Sequence, residues 1–186
     1  MFAAMLLNLP EQFETDRLLL SRLRYEDAEE IFYTYASKPE ATQYVSWPTH
    51  QSLQDTRAYL QYAVPAWGKG SDYSYTARLK DTNRLIGSFG ILNEAGKVQF
   101  GYIISPTQWN KGFATEMCQA FMGLLQQQPQ VHRIWTLVDA ENSASARVLQ
   151  KAGLVEEARL AKWFRFVNQN NEPKDCLIYR LPAPGL

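Results

Sequence analysis

Hydrophobic and polar positions alternate along several stretches of the chain, with the period of a strand that buries one face. In residues 98–104, every second position carries a valine, an aromatic residue or an isoleucine, which predicts a strand. Pro106 ends this pattern because it lacks an N–H. The same alternation, or a short buried run, predicts six further strands at residues 17–23, 73–79, 85–91, 133–138, 155–167 and 175–181.

Other segments have the spacing of amphipathic helices. Met117, Phe121 and Leu125 recur at intervals of about one turn and predict a helix that follows residue 112. Ser52 begins a Ser-x-x-Asp pattern that resembles a capping box and opens a helix towards Tyr62, and we expect Pro65 and the glycines at 68–70 to end this helix. The remaining helices are predicted at residues 28–35 and 142–153. The resulting order, βααβββαβαββ, is typical of an α/β fold on a mostly antiparallel sheet.

The turn between the strand at 98–104 and the next helix has the features of an anion-binding site. It reads QWNKGFATE over residues 108–116. Gly112 lets backbone amides approach a ligand closely, and the helix N-terminus adds unpaired N–H groups and a partial positive charge. The residue order differs from that of a P-loop and of a dinucleotide-binding fingerprint. By itself the turn is compatible with phosphate binding and with an ordinary strand-to-helix connection.

A second motif follows the predicted strand at 133–138 and reads NSASARVLQKAGL over residues 142–154. Together with the turn at 108–116 and the segment ETDRLLL at 14–20, it resembles the GNAT superfamily of acetyl-CoA-dependent N-acyltransferases. More narrowly, the three segments resemble the branch that contains the RimJ/RimL-type acetyltransferases of protein N-termini. The resemblance extends over about residues 13–181, and three motifs in the same order make it specific.

The resemblance implies one domain over residues 1–186, with a core at about 13–181, and the α/β GNAT fold. We expect a mixed, mostly antiparallel sheet of six to seven strands flanked by about four helices. In that fold the strand before the phosphate turn and the next strand run parallel and splay apart to form the cofactor cleft. Acetyl-CoA would enter the splay from one side and the amine acceptor from the other, with direct transfer in a ternary complex.

The resemblance also implies which residues hold acetyl-CoA. Backbone groups of Ile103 and Ile104 would contact the pantetheine arm and stabilise the oxyanion. The Asn142 side chain would bind the pantetheine arm, Arg147 would approach the 3′-phosphate, and the Ser145 hydroxyl would protonate the leaving thiolate. The pyrophosphate would rest on the turn formed by Asn110, Lys111, Gly112, Phe113, Ala114 and Thr115.

Ordinary structural roles stay open for several of these residues. Asn142 is a good helix cap whether or not it binds a ligand. A helix serine such as Ser145 could bond its own backbone. The charged side chains of Lys111 and Arg147 could simply be solvated.

On the acceptor side, Trp47, in the loop between the first two helices, and Tyr102, in the strand at 98–104, are the candidate substrate residues. Members of the branch often carry Glu at the position of Gln99, and an amide does not usefully accept a proton from an ammonium group. Other GNAT proteins carry a tyrosine acid at the position of Leu149. The general base is therefore unassigned, and a degenerate acyl-CoA-binding module without turnover stays open.

Composition argues against several classes of ligand and of cellular location. Lys and Arg total 19, as do Asp and Glu, so no bulk charge favours nucleic acid or an anionic membrane. Two cysteines and two histidines, far apart in sequence, provide neither a disulfide framework nor metal-ligand spacing. Residues 1–9 lack the basic start of a signal peptide, and no segment approaches membrane-spanning length.

We therefore expect a cytoplasmic N-acetyltransferase, monomeric or homodimeric, that uses acetyl-CoA and no metal. We expect it to bind neither nucleic acid nor membranes. The acceptor would be a primary amine, and the RimJ/RimL-like motifs favour the α-amine of a protein N-terminus. A small-molecule amine, such as an antibiotic, a polyamine or an amino acid, is the alternative.

Overall fold

The computed structural model describes residues 6–182, which contain one sheet of eight strands and five α-helices. The prediction that residues 1–9 do not form a signal peptide lies partly outside the described residues, because these begin at residue 6. The strands are β1 Gln12–Glu14, β2 Leu18–Arg22, β3 Asp72–Leu79, β4 Leu85–Glu94, β5 Lys97–Ile104, β6 Arg133–Asp139, β7 Val155–Arg165 and β8 Pro173–Arg180. The helices are α1 Ala28–Ile31, which continues into a π-helical turn at Phe32–Ala36, α2 Pro39–Thr42, α3 Leu53–Lys69, α4 Phe113–Gln126 and α5 Ser143–Lys151.

The sheet is mixed and mostly antiparallel. Its order is β1-β2-β3-β4-β5-β6-β8-β7, and among the described strands β5 and β6 are the parallel neighbours. The predicted α/β fold with its parallel pair is confirmed. The sheet has one strand more than the sequence predicts, because β1 is only three residues long and pairs with β2 at the edge. Three residues are too few for alternation to indicate a strand.

Helix α3 ends at the predicted glycines, but Pro65 does not interrupt it. It begins with the expected capping box, in which the Ser52 amide donates to Asp55 Oδ2 at 2.9 Å, but it continues through Pro65 for another turn. Pro65 and Gln61 are exposed, so the Gln61 carbonyl that loses its helical partner lies near water rather than in the core. Gly70 ends the helix with a left-handed φ of +75°.

The sheet separates two apolar clusters, because side chains along each strand alternate between its faces. On the face covered by α4 and α5, called the α4 face, Phe121 stacks on Phe89 with ring centroids 3.9 Å apart. On the opposite face, called the α3 face, Leu60 of α3 belongs to the same cluster as Ile103 of β5. Phe100, three residues before Ile103 on β5, belongs to the α4-face cluster.

No helix within residues 6–182 combines the length and the apolar composition that a bilayer crossing requires. The same residues contain no group of three or more His, Cys, Asp or Glu side chains placed to hold a metal ion. Cys118 and Cys176 are buried free thiols. Burial raises the pKa of both, to about 11 for Cys176, so neither is a thiolate at neutral pH.

Candidate active site

The parallel strands β5 and β6 separate after their first three residue pairs. Pairing covers residues 97–99 of β5 and 133–135 of β6. Just beyond it, the Thr136 hydroxyl donates to the Phe100 carbonyl at 2.7 Å. From there to Ile104 no ladder joins the two described strands, so a cleft opens between them. These strands are therefore splayed, as the sequence predicts.

Peptide groups along β5 point alternately towards β4 and into this cleft. The Ile103 carbonyl faces β4, since a Cβ built on Gly87 would lie 2.2 Å from its oxygen. The Ile104 carbonyl points away from β4 and accepts a hydrogen bond at 2.8 Å from the Trp109 indole N–H. The cleft-facing peptide groups are therefore those of Tyr102 and Ile104, whereas the contact predicted at Ile103 faces β4.

The turn before α4 is shaped by two residues with left-handed backbone. Asn110 has a φ of +61° and Gly112 a φ of +83°, which asparagine and glycine adopt more readily than other residues. The Glu116 amide makes the first bond of the helix, to the Gly112 carbonyl at 3.0 Å. No hydrogen bond among the described residues uses the amides of residues 113–115. The turn thus presents a row of N–H groups at the positive end of a helix, an arrangement that suits a phosphate.

A carboxylate fastens this turn to the segment that enters β2. Glu116 Oε1 accepts hydrogen bonds from the Thr15 hydroxyl at 2.5 Å and from the Arg17 amide at 2.9 Å. Its Oε2 lies 2.7 Å from the Arg17 guanidinium. Burial alone would raise the pKa of Glu116, but the hydrogen bonds from Thr15 and Arg17 outweigh it and lower the pKa. Glu116 is therefore an anchor of the turn.

Arg17 is a residue of this site that the turn motif does not reveal. Its guanidinium lies 4.4 Å from the centre of the Phe113 ring, and its Nη1 donates to the Lys111 carbonyl at 3.0 Å. The Lys111 ammonium is directed elsewhere, to the Thr107 carbonyl and the Gln108 side chain, both at 3.0 Å. The cation beside the helix start is thus Arg17, which comes from a distant part of the chain.

Asn142 and Ser145 meet at the start of α5. Asn142 Oδ1 accepts from the Ser145 amide at 3.1 Å, so Asn142 caps the helix. Ser145 Oγ lies 2.8 Å from the Tyr102 hydroxyl. Burial raises the pKa of Tyr102 far above its ordinary value, although the hydrogen bond with Ser145 opposes this. Both hydroxyls therefore keep their protons at neutral pH. Arg147 is exposed, and Leu149 is fully buried.

The two predicted substrate residues lie on opposite faces of the sheet. Trp47 packs against the cluster on the α3 face, with its ring 5.1 Å from that of His50, whereas Tyr102 packs on the α4 face. The loop that carries Trp47 is held by Asn168, which donates to the Trp47 carbonyl at 2.9 Å and accepts from the Thr49 amide at 2.9 Å. Burial lowers the pKa of His50, which favours its neutral form.

Several polar side chains on the α3 face are not part of the sequence motifs. Asp72 and Ser74 are both buried on β3, and Ser74 Oγ donates to Asp72 Oδ1 at 2.7 Å. On β4, Ser88 Oγ lies 2.5 Å from the Tyr35 hydroxyl. The Gln99 side chain, on β5, makes no hydrogen bond within residues 6–182. The one signal in the sequence is the alternation of Asp, Ser and Thr with aromatic residues and alanine at residues 72–77.

Known proteins resemble this chain over most of its length. A family model for the acetyltransferase (GNAT) domain matches residues 17–155. The uncharacterized N-acetyltransferase YoaA of Bacillus subtilis (strain 168) is 29% identical over 174 residues, which cover 92% of this chain and 96% of YoaA.

Solved structures share the fold. RimL, a ribosomal L7/L12 alpha-N-protein acetyltransferase in complex with coenzyme A, superposes with a TM-score of 0.82 at 17% identity, over 91% of this chain and 97% of RimL. The spermidine N-acetyltransferase of Vibrio cholerae, in complex with CoA and spermine, superposes with a TM-score of 0.77 at 19% identity, over 91% of this chain and 97% of that enzyme. At these identities the likeness concerns the fold alone.

Proposed function

The chain belongs to the acetyltransferase (GNAT) domain family, and on this premise we propose that it transfers the acetyl group of acetyl-CoA to the α-amine of a protein N-terminus. The observation that carries the proposal is the cleft between β5 and β6, with free helix amides at one end and the Ser145–Tyr102 hydroxyl pair across it. The RimJ/RimL-like motifs support a protein N-terminus as the acceptor, whereas the shared fold is common to acetyltransferases of proteins and of small amines.

The groups around the cleft fit acetyl-CoA. The pyrophosphate would accept hydrogen bonds from the amides of residues 113–115, and Gly112 leaves their approach open because it carries no side chain. The pantetheine arm would lie along β5 and use the peptide groups of Tyr102 and Ile104. Asn142 would meet the arm from the other wall of the cleft, and the exposed Arg147 is available to the 3′-phosphate.

Acetyl transfer requires a neutral amine, a stabilised oxyanion and a proton for the leaving thiolate. A cleft-facing amide of β5 would bind the oxygen that gathers charge, and orientation of the two substrates would supply much of the rate. Ser145 would give its proton to the sulfur as the C–S bond breaks and regain one through the Tyr102 hydroxyl, which takes in turn the proton that the nitrogen releases as the amide forms. Because a free thiol has a pKa of about 8.5, this proton is a modest part of catalysis.

An α-amine suits this site better than a lysine side chain does. The pKa of an α-amine is about 7.7–8.0, against about 10.4 for lysine, so a larger fraction is neutral at pH 7. This difference matters because Gln99 provides no carboxylate where the branch often has one. The loop that carries Trp47, pinned by Asn168, would form a firm wall for the first residue of the acceptor peptide.

The proposal extends to the setting in which the protein works. We place it in the cytoplasm, where two buried free thiols would stay reduced. We expect residues 1–186 to act as a single domain, as a monomer or homodimer, without a metal ion.

A CoA-release assay with a panel of amines tests the proposal. We expect turnover with peptides that have a free N-terminus and none with the same peptides blocked at the N-terminus. Turnover with polyamines or antibiotic amines alone would move the acceptor to the small-molecule class. Binding of acetyl-CoA without release in the presence of any amine would identify a binding module without turnover.

A further inference from the structure

The α3 face of the sheet has an open floor at the vertex of the cleft. Gly90 of β4 and Gly101 of β5 are register partners, so no side chain stands over this spot. A Cβ built on Gly101 would meet nothing within 4 Å, and one built on Gly90 would meet only the Ser74 hydroxyl, at 3.8 Å. Gly101 comes two residues after Gln99, where β5 and β6 cease to pair. The floor therefore lies where an acceptor would reach the cleft from the side opposite α4.

A buried carboxylate borders this floor. Asp72 and Ser74 are 7% and 5% exposed, and Ser74 donates to Asp72 at 2.7 Å. Ser74 is the register partner of Gly90, so Ser74, Gly90 and Gly101 form one row across three strands. Tyr59 of α3 approaches the pair, with its hydroxyl 3.4 Å from Ser74 Oγ. The Ser74 hydroxyl therefore lies between the Asp72 carboxylate and the open floor.

Asp72 has no cationic partner among the described residues, and its hydrogen bond comes from Ser74. Burial of a carboxylate without a cation lowers stability. A structural role in the fold would be served as well by an asparagine. An ammonium group brought by a substrate would supply the missing charge.

We propose that Asp72, acting through the Ser74 hydroxyl, attracts the incoming ammonium group of the acceptor and takes its proton. This inference rests on the proposed acetyl transfer and assigns a role that Gln99 cannot fill. Neighbouring strands lie about 4.8 Å apart. An amine above Gly101 is therefore about one strand spacing from the Ser74 hydroxyl, which lies beside Gly90. One bridging water spans this distance.

The protons balance along this route. The ammonium gives one proton through the water to Ser74 Oγ, while Ser74 passes its own proton to Asp72. The neutral nitrogen then attacks the thioester carbon, and the C–S bond breaks. The nitrogen releases a second proton as the amide forms, which balances the proton that the thiolate receives through Ser145. Asp72 returns its proton to solvent after the product leaves.

The pH dependence follows from the surroundings of Asp72. Burial raises the pKa of Asp72, and its hydrogen bond offsets this only in part. Because the carboxylate must be ionised to take a proton, kcat/KM should rise as the pH increases through this raised pKa. Other titratable groups also face this region. Helix α3 contributes Tyr59 and Tyr62, and Tyr59 interacts with Tyr35, which in turn interacts with Asp27. Glu94 and Lys97 lie at the adjoining ends of β4 and β5.

The substitution Asp72→Asn tests the inference, because it keeps an acceptor for Ser74 and removes the base. With a free N-terminal peptide at pH 7, kcat/KM should fall by about 10²-fold. The KM for acetyl-CoA should not change, and the remaining rate should follow the pKa of the amine. Asp81→Asn, an exposed carboxylate in the β3–β4 turn, is the matched control and should retain the wild-type profile. A folded Asp72→Asn variant with the wild-type pH profile would overturn the inference and leave the acetyl transfer intact.

A second pair of variants covers the case in which Asp72→Asn does not fold. Ser74→Ala should reproduce the loss of rate, and Ser74→Thr, which retains a hydroxyl, should restore much of it. Equal rates for the two Ser74 variants would also overturn the inference.

Binding supplies a readout that does not depend on turnover. Calorimetry at pH 7 with CoA-loaded protein should show that the unblocked peptide binds more weakly to Ser74→Ala than to the wild type. If the wild type releases no CoA with any amine, the proposed function fails. If the peptide then binds the wild type and Ser74→Ala equally well, the role of Asp72 and Ser74 is rejected too. Weaker binding to Ser74→Ala would show that the two residues bind the ammonium group without supporting transfer.

Discussion

The Tyr102 hydroxyl lies 2.8 Å from Ser145 Oγ, although the two residues come from opposite walls of the cleft. Tyr102 is on β5, and Ser145 is on α5, the helix that follows β6. Leu149, four residues after Ser145, is fully buried, so α5 carries no tyrosine at the position where other GNAT proteins have one. The tyrosine hydroxyl at this site is instead supplied by β5. In the proposed transfer, the two hydroxyls would together pass a proton towards the sulfur.

The first prediction concerns Ser145. Ser145→Ala should lower kcat by about 10²-fold, the low end for acid–base catalysis, because a leaving thiol needs little help. The KM for acetyl-CoA should change much less, since the hydroxyl acts on the transition state. Steady-state kinetics beside Ser143→Ala, an exposed serine on the same helix, measures the effect. Full activity in Ser145→Ala would reduce Ser145 to a structural helix residue.

The second prediction concerns the turn at Gly112. Gly112→Asp should abolish measurable acetyl-CoA binding, because it places a negative charge beside the pyrophosphate and a side chain at a φ of +83°. Gly123→Asp, at an open and exposed position in the last turn of α4, is the matched control and should bind acetyl-CoA normally. Titration calorimetry on the folded proteins checks this. Unchanged affinity in Gly112→Asp would remove the turn from the cofactor site.

The third prediction concerns Gln99. Gln99→Glu adds a carboxylate on the α3 face at the vertex of the cleft, so the rising limb of the pH–rate profile should move to lower pH. Activity near neutrality should increase, because more of the acceptor amine would lose its proton at the site. Gln54→Glu, on the exposed side of α3, controls for the added charge. A profile identical to that of the wild type would show that position 99 does not meet the amine.

The fourth prediction concerns stability. Glu116→Gln should reduce the free energy of unfolding by about 1–2 kcal/mol at pH 7, because the bonds from Thr15 and Arg17 lose a charged acceptor. The folded-state pKa of Glu116 is below its ordinary value of 4.5. Its contribution is therefore complete above pH 4.5 and is lost as the pH falls through the folded-state pKa.

Urea unfolding at pH 7 and at pH 3 measures this difference. Glu14→Gln, which breaks an exposed ion pair with Lys80, should have little effect at either pH. A stability loss for Glu116→Gln that is equally large at pH 3 would show that the charge of Glu116 is not its cause.

Local patterns predicted the elements that carry the site. The alternation in residues 98–104 and the helical spacing after Gly112 identified β5 and α4, which lie on either side of the turn. The pattern at Asn142 identified the cap of α5. These predictions succeed because strand alternation, helix spacing and capping depend on residues within one or two turns of each other.

The direction in which a peptide group points and the solvent exposure of a helix side could not be predicted in the same way. Residue type does not distinguish Ile103 from Ile104, and only the hydrogen bonds to the neighbouring strand decide which peptide group faces the cleft. Pro65 was expected, with the glycines at 68–70, to end α3. The helix continues through Pro65, because that side of it faces water, and ends before Gly70.

The sequence by itself determined the fold class, the strand-to-helix turn before α4 and the Asn142 cap of α5, because each depends on residue patterns and motifs that can be read along the chain. Only the tertiary structure decided that Arg17 lies beside the turn and that Tyr102 meets Ser145. It also decided that Ser74, which donates to the buried Asp72, lies in one row with the two glycines of the floor. These groups are brought together by strand pairing and by packing of helices on the sheet. Contacts of that kind join distant parts of the chain, so no local pattern of residue types encodes them.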